Sequence, residues 1–218
     1  MGSIYWQFND IWPVASWSSV DSNLRYKALH YFAKKFYAPV EMGLFLEGER
    51  LTVNLSNETR KDFRGEVRLV FSTEEFGVKS SLTQAVAVKS LSASDVLSVD
   101  ADLSDPCHTF AYAELYDETG AFLCRNTQLF VPAKHFAWKR PNIKVSASDV
   151  EGGVALCVSS DTFAKGVYLD FDGFDAVLSD NFFELTNGEA YTVVAKTDRT
   201  AREVEKALQI MTVYDIGR

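Results

Sequence analysis

The feature that most constrains the fold is a two-residue alternation of apolar and polar side chains, which runs with few breaks from Val40 to the end of the chain. Successive side chains of a β-strand point to opposite faces, so this period indicates strands with one face in a core. Short turn sequences separate the alternating runs, among them 117–120, 172–173 and 187–188. The chain is therefore predicted to be mainly β, with antiparallel strands.

Seven alternating runs follow one another within roughly the first ninety residues of this region. Short strands at such regular spacing are typical of an antiparallel sandwich. No Cys…Trp…Cys pattern accompanies them, so "immunoglobulin-like" describes only the architecture. The runs cover residues 40–48, 50–57, 65–73, 79–88, 94–103, 108–117 and 121–132.

A second boundary lies in the polar, basic stretch 135–142, which contains Pro141. Alternation then resumes, and it predicts a second, smaller sandwich. The stretch 199–213 also shows a helical pattern. A strand from Lys206 onward is nevertheless predicted there, because Leu208, Ile210 and Thr212 alternate with Gln209 and Met211. The predicted strands cover residues 143–153, 154–160, 165–173, 181–189, 190–196 and 204–215.

The beginning of the chain has a different character. An apolar strand is predicted over residues 4–8, and a helix over 23–37 that is capped by Asp21 or Ser22 and stopped by Pro39. One strand and one helix cannot enclose a core, and together they are the repeating unit of a βα fold. The predicted domains are this βα unit at 1–38, an immunoglobulin-like sandwich at 39–137 and a smaller one at 138–218.

Polar residues stand where the first predicted strand ends. In a βα barrel this strand end faces the active site. The indole of Trp6 could lie against a sugar ring, and the side chains of Gln7, Asn9 and Asp10 could bind its hydroxyls. The alternative, simpler on this stretch alone, is that Trp6 fills a core and the polar residues cap the strand. The indoles at positions 12 and 17 are predicted to be packing residues of the following loop.

Composition argues against several classes of function. The formal net charge of −8 disfavours nucleic acid or an anionic membrane surface as a partner. Three cysteines and three histidines without ligand spacing predict neither a metal site nor a cofactor, and the cysteines are expected to be reduced. No apolar run reaches about eighteen residues, and no signal peptide is recognised. The compartment is left unknown.

The opening forty residues carry a resemblance to a known family. The run "YWQFNDIWPVASWSSVDSNLRYKALHY" resembles the last strand and helix of the catalytic barrel in β-mannosidases of glycoside hydrolase family 2. "LSDNFFELTNGEAYTV" resembles their closing sandwich domain. The spacing between the two fits one intervening immunoglobulin-like domain. The resemblance implies two immunoglobulin-like antiparallel sandwiches preceded by one βα unit left over from a TIM barrel.

The resemblance also implies a chemistry. Such enzymes look like retaining glycosidases that remove terminal non-reducing β-D-mannose with two carboxylic acids roughly 5 Å apart. In the family both acids are glutamates on earlier barrel strands, so no residue of this chain is given a catalytic role. The chain alone is expected to be inactive, with its sandwiches acting as a scaffold for the barrel. The implied partner is a β-mannoside, bound through the parent enzyme.

A few residues carry over from the family. Trp6 matches a strand-end tryptophan that lines the sugar pocket, and Asp10 fits a shared Trp-x-x-x-Asp spacing as support for that pocket. Gln7 and Asn9 are further substrate-binding candidates. The family's tryptophan is often followed by a cis peptide bond, but a trans bond is expected here because nothing upstream would hold a cis one. Adjacent acids such as Glu74–Glu75 are expected to be solvated.

Two further expectations follow. The orphaned residues 1–38 should fold onto the adjacent sandwich or form a homo-oligomer, because an exposed apolar patch usually finds a partner. The alternative function is a free-standing carbohydrate-binding or adhesion module, for which Phe182 and Phe183 are the candidate residues. Those two rings are more simply explained as part of the second core.

Overall fold

A two-sheet sandwich occupies the middle of the chain in the computed structural model, which describes residues 4–217. One sheet has the strand order β1–β2–β5 and the other β4–β3–β6–β7, and every pairing is antiparallel. The strands are β1 Val40–Glu47, β2 Arg50–Asn57, β3 Phe63–Thr73, β4 Val78–Val88, β5 Ser92–Asp100, β6 Thr109–Asp117 and β7 Phe122–Leu129.

The alternation of the sequence places the core of this sandwich. On β2, every second residue is buried, and Leu51, Val53 and Leu55 have no solvent exposure. From the other sheet, Val67 and Leu69 belong to the same apolar cluster. The predicted antiparallel sandwich is therefore confirmed, because the residues with period two are those that enclose the core.

A smaller sandwich forms the C-terminal part of the chain. Its sheets have the orders β11–β13–β9–β8 and β12–β10–β14, again with antiparallel pairing. The elements are β8 Lys144–Val150, β9 Gly153–Ser159, β10 Ala164–Phe171, β11 Val177–Leu178, β12 Phe183–Leu185, β13 Tyr191–Lys196, α2 Ala201–Ala207, β14 Leu208–Met211 and α3 Val213–Ile216; the first helix of the chain, α1, is Ala28–Phe36.

The prediction of a strand from Lys206 through residue 215 is wrong at both ends, since the strand stops at Met211 and α3 follows from Val213. Thr200 and Glu203 form a capping box, in which each side chain bonds the other residue's backbone N–H, and α2 runs from there through Ala207. The strand begins only at Leu208, where it pairs with β10. The capping box satisfies the free amides of the helix start, so the helical pattern prevails over the alternation until Ala207.

The prediction of a strand over residues 4–8 is also wrong. The backbone of residues 4–8 forms no strand or bridge, and an isolated parallel bridge lies just after it, between Asn9 and Val20. A buried parallel strand takes its hydrogen bonds from neighbouring strands, and no strand of the described chain lies beside these residues. Helix α1 begins at Ala28 instead of residue 23, because residues 21–25 form a turn in which the Asp21 carboxylate accepts two backbone N–H groups.

Helix α1 packs on the C-terminal sandwich. The chain divides into two compact units, one of residues 37–140 and the other of the residues up to Phe36 with those from Pro141 onward. Tyr31 of α1 is 5% exposed and belongs to the apolar core of the C-terminal sandwich. The three-domain division at 1–38, 39–137 and 138–218 stays a prediction.

Three further contacts join the N-terminal residues to the C-terminal sandwich. The Lys34 ammonium donates to the backbone carbonyl of Ser179 over 2.7 Å. Salt bridges connect Lys35 to Asp180 at 3.3 Å and Arg25 to Asp175 at 2.8 Å.

Across residues 4–217, no helix combines the length and the apolar character needed to cross a bilayer.

Candidate functional site

The predicted site residues lie in an irregular loop, residues 4–20, ahead of α1. Trp6 is 75% exposed, and the peptide bond between Trp6 and Gln7 is cis. The expectation of a trans bond at this position is therefore wrong. Trp12 and Trp17 are 60% and 77% exposed, so their assignment as packing residues of the loop is wrong for the described part of the chain.

A buried carboxylate organises this loop. Asp10 is 5% exposed, and its Oδ2 accepts hydrogen bonds from the Lys27 ammonium at 2.8 Å and the Ser18 hydroxyl at 2.7 Å. Its Oδ1 accepts from the Ser16 hydroxyl at 2.5 Å. The Gln7 amide lies 3.5 Å from the same Oδ1. Asp10 therefore connects Gln7 at one end of the loop and the two serines at its other end to Lys27, the residue that precedes α1.

These donors keep Asp10 ionised. The Lys27 ammonium, with the Ser16 and Ser18 hydroxyls, lowers the pKa of the Asp10 carboxyl to about 2, because each of them stabilises the charged form more than the neutral acid. A carboxyl that is ionised and ion-paired at neutral pH cannot donate a proton as a general acid. Asp10 is suited to holding the loop in one conformation.

Backbone hydrogen bonds close the same loop. The Asp10 N–H donates to the Val20 carbonyl at 3.0 Å, and the Val20 N–H donates to the Phe8 carbonyl at 2.9 Å. The Ser19 hydroxyl donates to the same carbonyl at 3.0 Å. The Lys27 N–H donates to the Ser19 carbonyl at 2.9 Å, which fixes the approach to α1. The loop is thus ordered by internal bonds although many of its apolar side chains are exposed.

The remaining predicted residues lie around this cluster. The Gln7 amide donates to the Asn9 carbonyl at 3.3 Å, and the exposed Asn9 amide donates to the Asp10 carbonyl at 3.3 Å. These bonds are long, so both amides could exchange them for contacts with a ligand. The structure thus brings Gln7, Asn9 and Asp10 together, while the Trp6 indole lies exposed beside them.

Sequence reasoning missed Ser16, Ser18 and Lys27. Their hydroxyl and ammonium groups supply the three shortest hydrogen bonds to the Asp10 carboxylate. A buried carboxylate in an apolar segment requires a nearby cation. This rule could have led to a search of the sequence for a cation that pairs with Asp10. Lys27 stands seventeen positions after Asp10, which is too far for any local spacing rule.

The adjacent acids Glu74 and Glu75 are both engaged by basic side chains. The expectation that Glu74 is solvated is wrong, since it is 5% exposed and its Oε1 lies 2.9 Å from His108 Nδ1. Glu75 pairs with Lys139, which also lies 3.8 Å from Glu74. Within residues 4–217, no group of three or more histidine, cysteine or acidic side chains is arranged to hold a metal ion.

The rings of Phe182 and Phe183, the candidates for a sugar-binding module, pack against other residues of the chain. Phe183 is 2% exposed in the core of the C-terminal sandwich. Phe182 lies among the rings of Tyr31, Phe32 and Tyr168, with centroid distances of 6.0, 6.5 and 4.9 Å. Neither ring offers a free face like that of an exposed sugar platform.

Self-association through residues 1–38 stays a prediction.

Comparison with known families matches both sandwiches. Residues 49–135 match the model of a mannosidase Ig/CBM-like domain, and residues 138–216 match that of an Ig-fold domain named for mannosidases. The fold and these matches define a pair of immunoglobulin-like domains of the mannosidase type. In its fold and in these matches, the chain corresponds to the C-terminal portion of the β-mannosidases of glycoside hydrolase family 2.

Individual relatives extend the similarity over most of the chain. The β-mannosidase of Capra hircus is 55% identical over 40 residues, which are 18% of this chain and 5% of the goat protein. β-Mannosidase B of Thermothelomyces thermophilus is 24% identical over 216 residues, covering 88% of this chain and 25% of that protein. The crystal structure of the β-D-mannosidase of Dictyoglomus thermophilum matches 95% of this chain with a TM-score of 0.86 and 25% identity. The chain thus spans at most a quarter of the length of these three relatives.

Proposed function

We propose that this chain is the non-catalytic C-terminal part of an enzyme that hydrolyses terminal non-reducing β-D-mannosides with retention. Its role is to hold one substrate-binding loop of that enzyme in place. The observation that carries the proposal is the Asp10 cluster, which consists of Asp10, Ser16, Ser18 and Lys27. This cluster fixes the loop and leaves the Trp6 indole exposed.

The exposed indole suits a sugar ligand. Trp6 offers a flat apolar face to the C–H groups of a pyranose ring, and the amides of Gln7 and Asn9 can exchange hydrogen bonds with its hydroxyls. Asp10 has its carboxylate oxygens occupied by Lys27 and two serines, so it supports the loop and does not bind a hydroxyl directly. In this proposal Trp6 contacts the terminal mannose.

The scaffold role is supported by the contacts of α1. Tyr31 is buried in the core of the C-terminal sandwich, and Lys34 and Lys35 bond residues of the same sandwich. The loop that carries Trp6 is joined to the residue just before α1 through Asp10 and Lys27. The sandwich therefore fixes the helix, and the helix start fixes the loop.

We expect the isolated chain to be inactive. Retaining hydrolysis needs one carboxyl as nucleophile and one as acid and base, and the family resemblance places both on barrel strands that this chain does not contribute. Purified chain should release no 4-nitrophenol from 4-nitrophenyl β-D-mannopyranoside above a mock purification. Turnover that copurifies with the chain through successive columns would contradict the proposal.

The binding role of Trp6 can be tested in a complete enzyme. In a chimera, this chain replaces the matching quarter of the Dictyoglomus thermophilum β-D-mannosidase. Trp6→Ala in that chimera should lower kcat/KM for the aryl β-mannoside by about a hundredfold, because it removes a large apolar contact with the sugar.

Trp17→Ala is the matched control, since Trp17 is an equally exposed indole of the same loop to which the proposal gives no contact with the sugar. It should change kcat/KM by less than about threefold. Equal losses in the two variants, or no loss in a folded and active Trp6→Ala chimera, would contradict the assignment of Trp6.

A further inference from the structure

A cleft lies between the N-terminal residues and the C-terminal sandwich, within one compact unit. It has a volume of roughly 250 Å³ and is open to solvent on one side. Residues 23–26 and Tyr31 form one side, and residues 168–171 with 175–178 form the other. None of the four residues named for the loop site lines it.

Tyrosine rings form the walls of the cleft. Tyr26 stacks on His30 at a centroid distance of 3.9 Å, and Tyr168 stacks on Phe182 at 4.9 Å. Tyr31 lies edge-on to Tyr26 at 6.1 Å. Because other rings support each tyrosine, the aromatic walls are fixed before any ligand arrives, and little side-chain entropy remains to be lost on binding.

Balanced charges line the opening. Arg25 and Asp175 form a salt bridge of 2.8 Å, and Asp170 and Lys196 add one charge of each sign. Among residues 4–217, no side-chain hydrogen bond or ion pair engages the exposed Lys196 ammonium, so it can donate to a ligand in the cleft. An anion would face two carboxylates here and a cation would face Arg25 and Lys196, so the charges favour a neutral ligand rich in hydrogen-bonding groups.

The volume limits the ligand further. Pockets for drug-sized molecules occupy about 300–1,000 Å³, so a cleft of this size accommodates a single ring. Burial raises the pKa of Tyr168 to about 12, so its phenol is neutral at physiological pH and keeps its hydroxyl proton. Aromatic faces for C–H groups, with donors and acceptors for hydroxyls around them, match the chemistry of a pyranose.

We infer that this cleft binds one ring of a neutral saccharide through Tyr26, Tyr168 and Lys196. Its exposed salt bridge and its open side predict weak binding, with a Kd on the order of 1 mM. The inference goes beyond the proposed function, because it concerns other residues and would hold whether or not Trp6 contacts substrate.

The test uses the full chain and NMR titration with methyl β-D-mannopyranoside and methyl β-D-glucopyranoside. We expect saturable shifts of the Tyr168 and Lys196 amides with at least one of the two sugars. Lys196→Ala should weaken binding by about fivefold through loss of a charged donor. Lys144→Ala, an exposed lysine on β8 of the same sandwich, is the matched control and should leave the Kd unchanged.

Tyr168→Phe provides a second variant that keeps the stacked ring and removes only the hydroxyl, so it should fold and bind more weakly. Trp6→Ala should leave the shifts in the cleft intact, which separates this inference from the proposed function. The absence of saturable shifts in the cleft with both sugars, at concentrations up to about fifty times the expected Kd, would overturn the inference. Shifts that disappear only in Trp6→Ala would also overturn it.

Discussion

Replacing Tyr31 with alanine is expected to lower the free energy of unfolding of the C-terminal sandwich by about 3 kcal/mol, although Tyr31 lies more than a hundred residues before that sandwich in sequence. Tyr31 is 5% exposed and packs in its core, and truncation of a buried aromatic side chain leaves a cavity. The measurement is a urea titration followed by the NMR signals of Val193 and Ala195, which are buried in that core.

Phe45→Ala is the matched control for this substitution. Phe45 is a 56% exposed ring of β1 in the other compact unit, and its removal should change the unfolding free energy reported by Val193 by less than about 0.5 kcal/mol. If Tyr31→Ala leaves the urea midpoint of Val193 and Ala195 unchanged, α1 is not part of that core, and the scaffold role loses its support.

Replacing Asp10 with asparagine is expected to loosen the loop of residues 4–20 at neutral pH and to remove its acid transition. The pKa of Asp10 is about 2, below the ordinary value of 3.8, so its carboxylate stabilises the folded loop above pH 3.8. That stabilisation is lost as the pH falls through about 2. Hydrogen exchange of the Val20 amide reports the change, because this N–H is bonded across the loop.

In the unchanged chain, protection of Val20 should decrease between about pH 4 and pH 2. In Asp10→Asn, exchange at pH 7 should be at least about tenfold faster, since bonds to a charged acceptor are lost. Asp117→Asn is the control, because Asp117 also has a lowered pKa but lies in a turn of the middle sandwich. Equal protection of Val20 in Asp10→Asn and the unchanged chain at pH 7 would contradict the role of Asp10.

The two sandwiches could be predicted because their signal is local. The alternation of residues such as Leu51, Val53 and Leu55 depends only on which side of a strand each residue occupies. The helix at 201–207 also has a local signal, because Thr200 and Glu203 stand at the spacing of a capping box. This helix was nevertheless not predicted. The alternation of Leu208 and Ile210 was given more weight than that signal.

The position of α1 could not be predicted in the same way. Its partners Ser179 and Phe182 stand about 150 residues further along the chain, and no local period reports a contact over that distance. The predicted strand over 4–8 failed for a related reason, because a parallel strand exists only beside its neighbours. Local sequence gave the apolar character of that segment but not its conformation.

The candidate site was predicted in part. The polar residues after Trp6, and the resemblance of the whole run to a β-mannosidase barrel strand, led to Gln7, Asn9 and Asp10. The partners of Asp10 were missed because charge pairing across a loop depends on its fold. Ser16 and Ser18 are reached only when the loop reverses so that Val20 returns beside Phe8.

The most direct test of the central claim is hydrogen exchange of the unchanged chain at neutral pH, read by NMR at Asp10, Val20 and Lys27. All three amides donate to backbone carbonyls of the loop. If the C-terminal sandwich holds α1, and α1 holds the loop, these amides should exchange far more slowly than in an unstructured peptide. Their protection should also fall in Tyr31→Ala. Exchange at the rates of a free peptide would show that the loop is not held, and it would contradict the account.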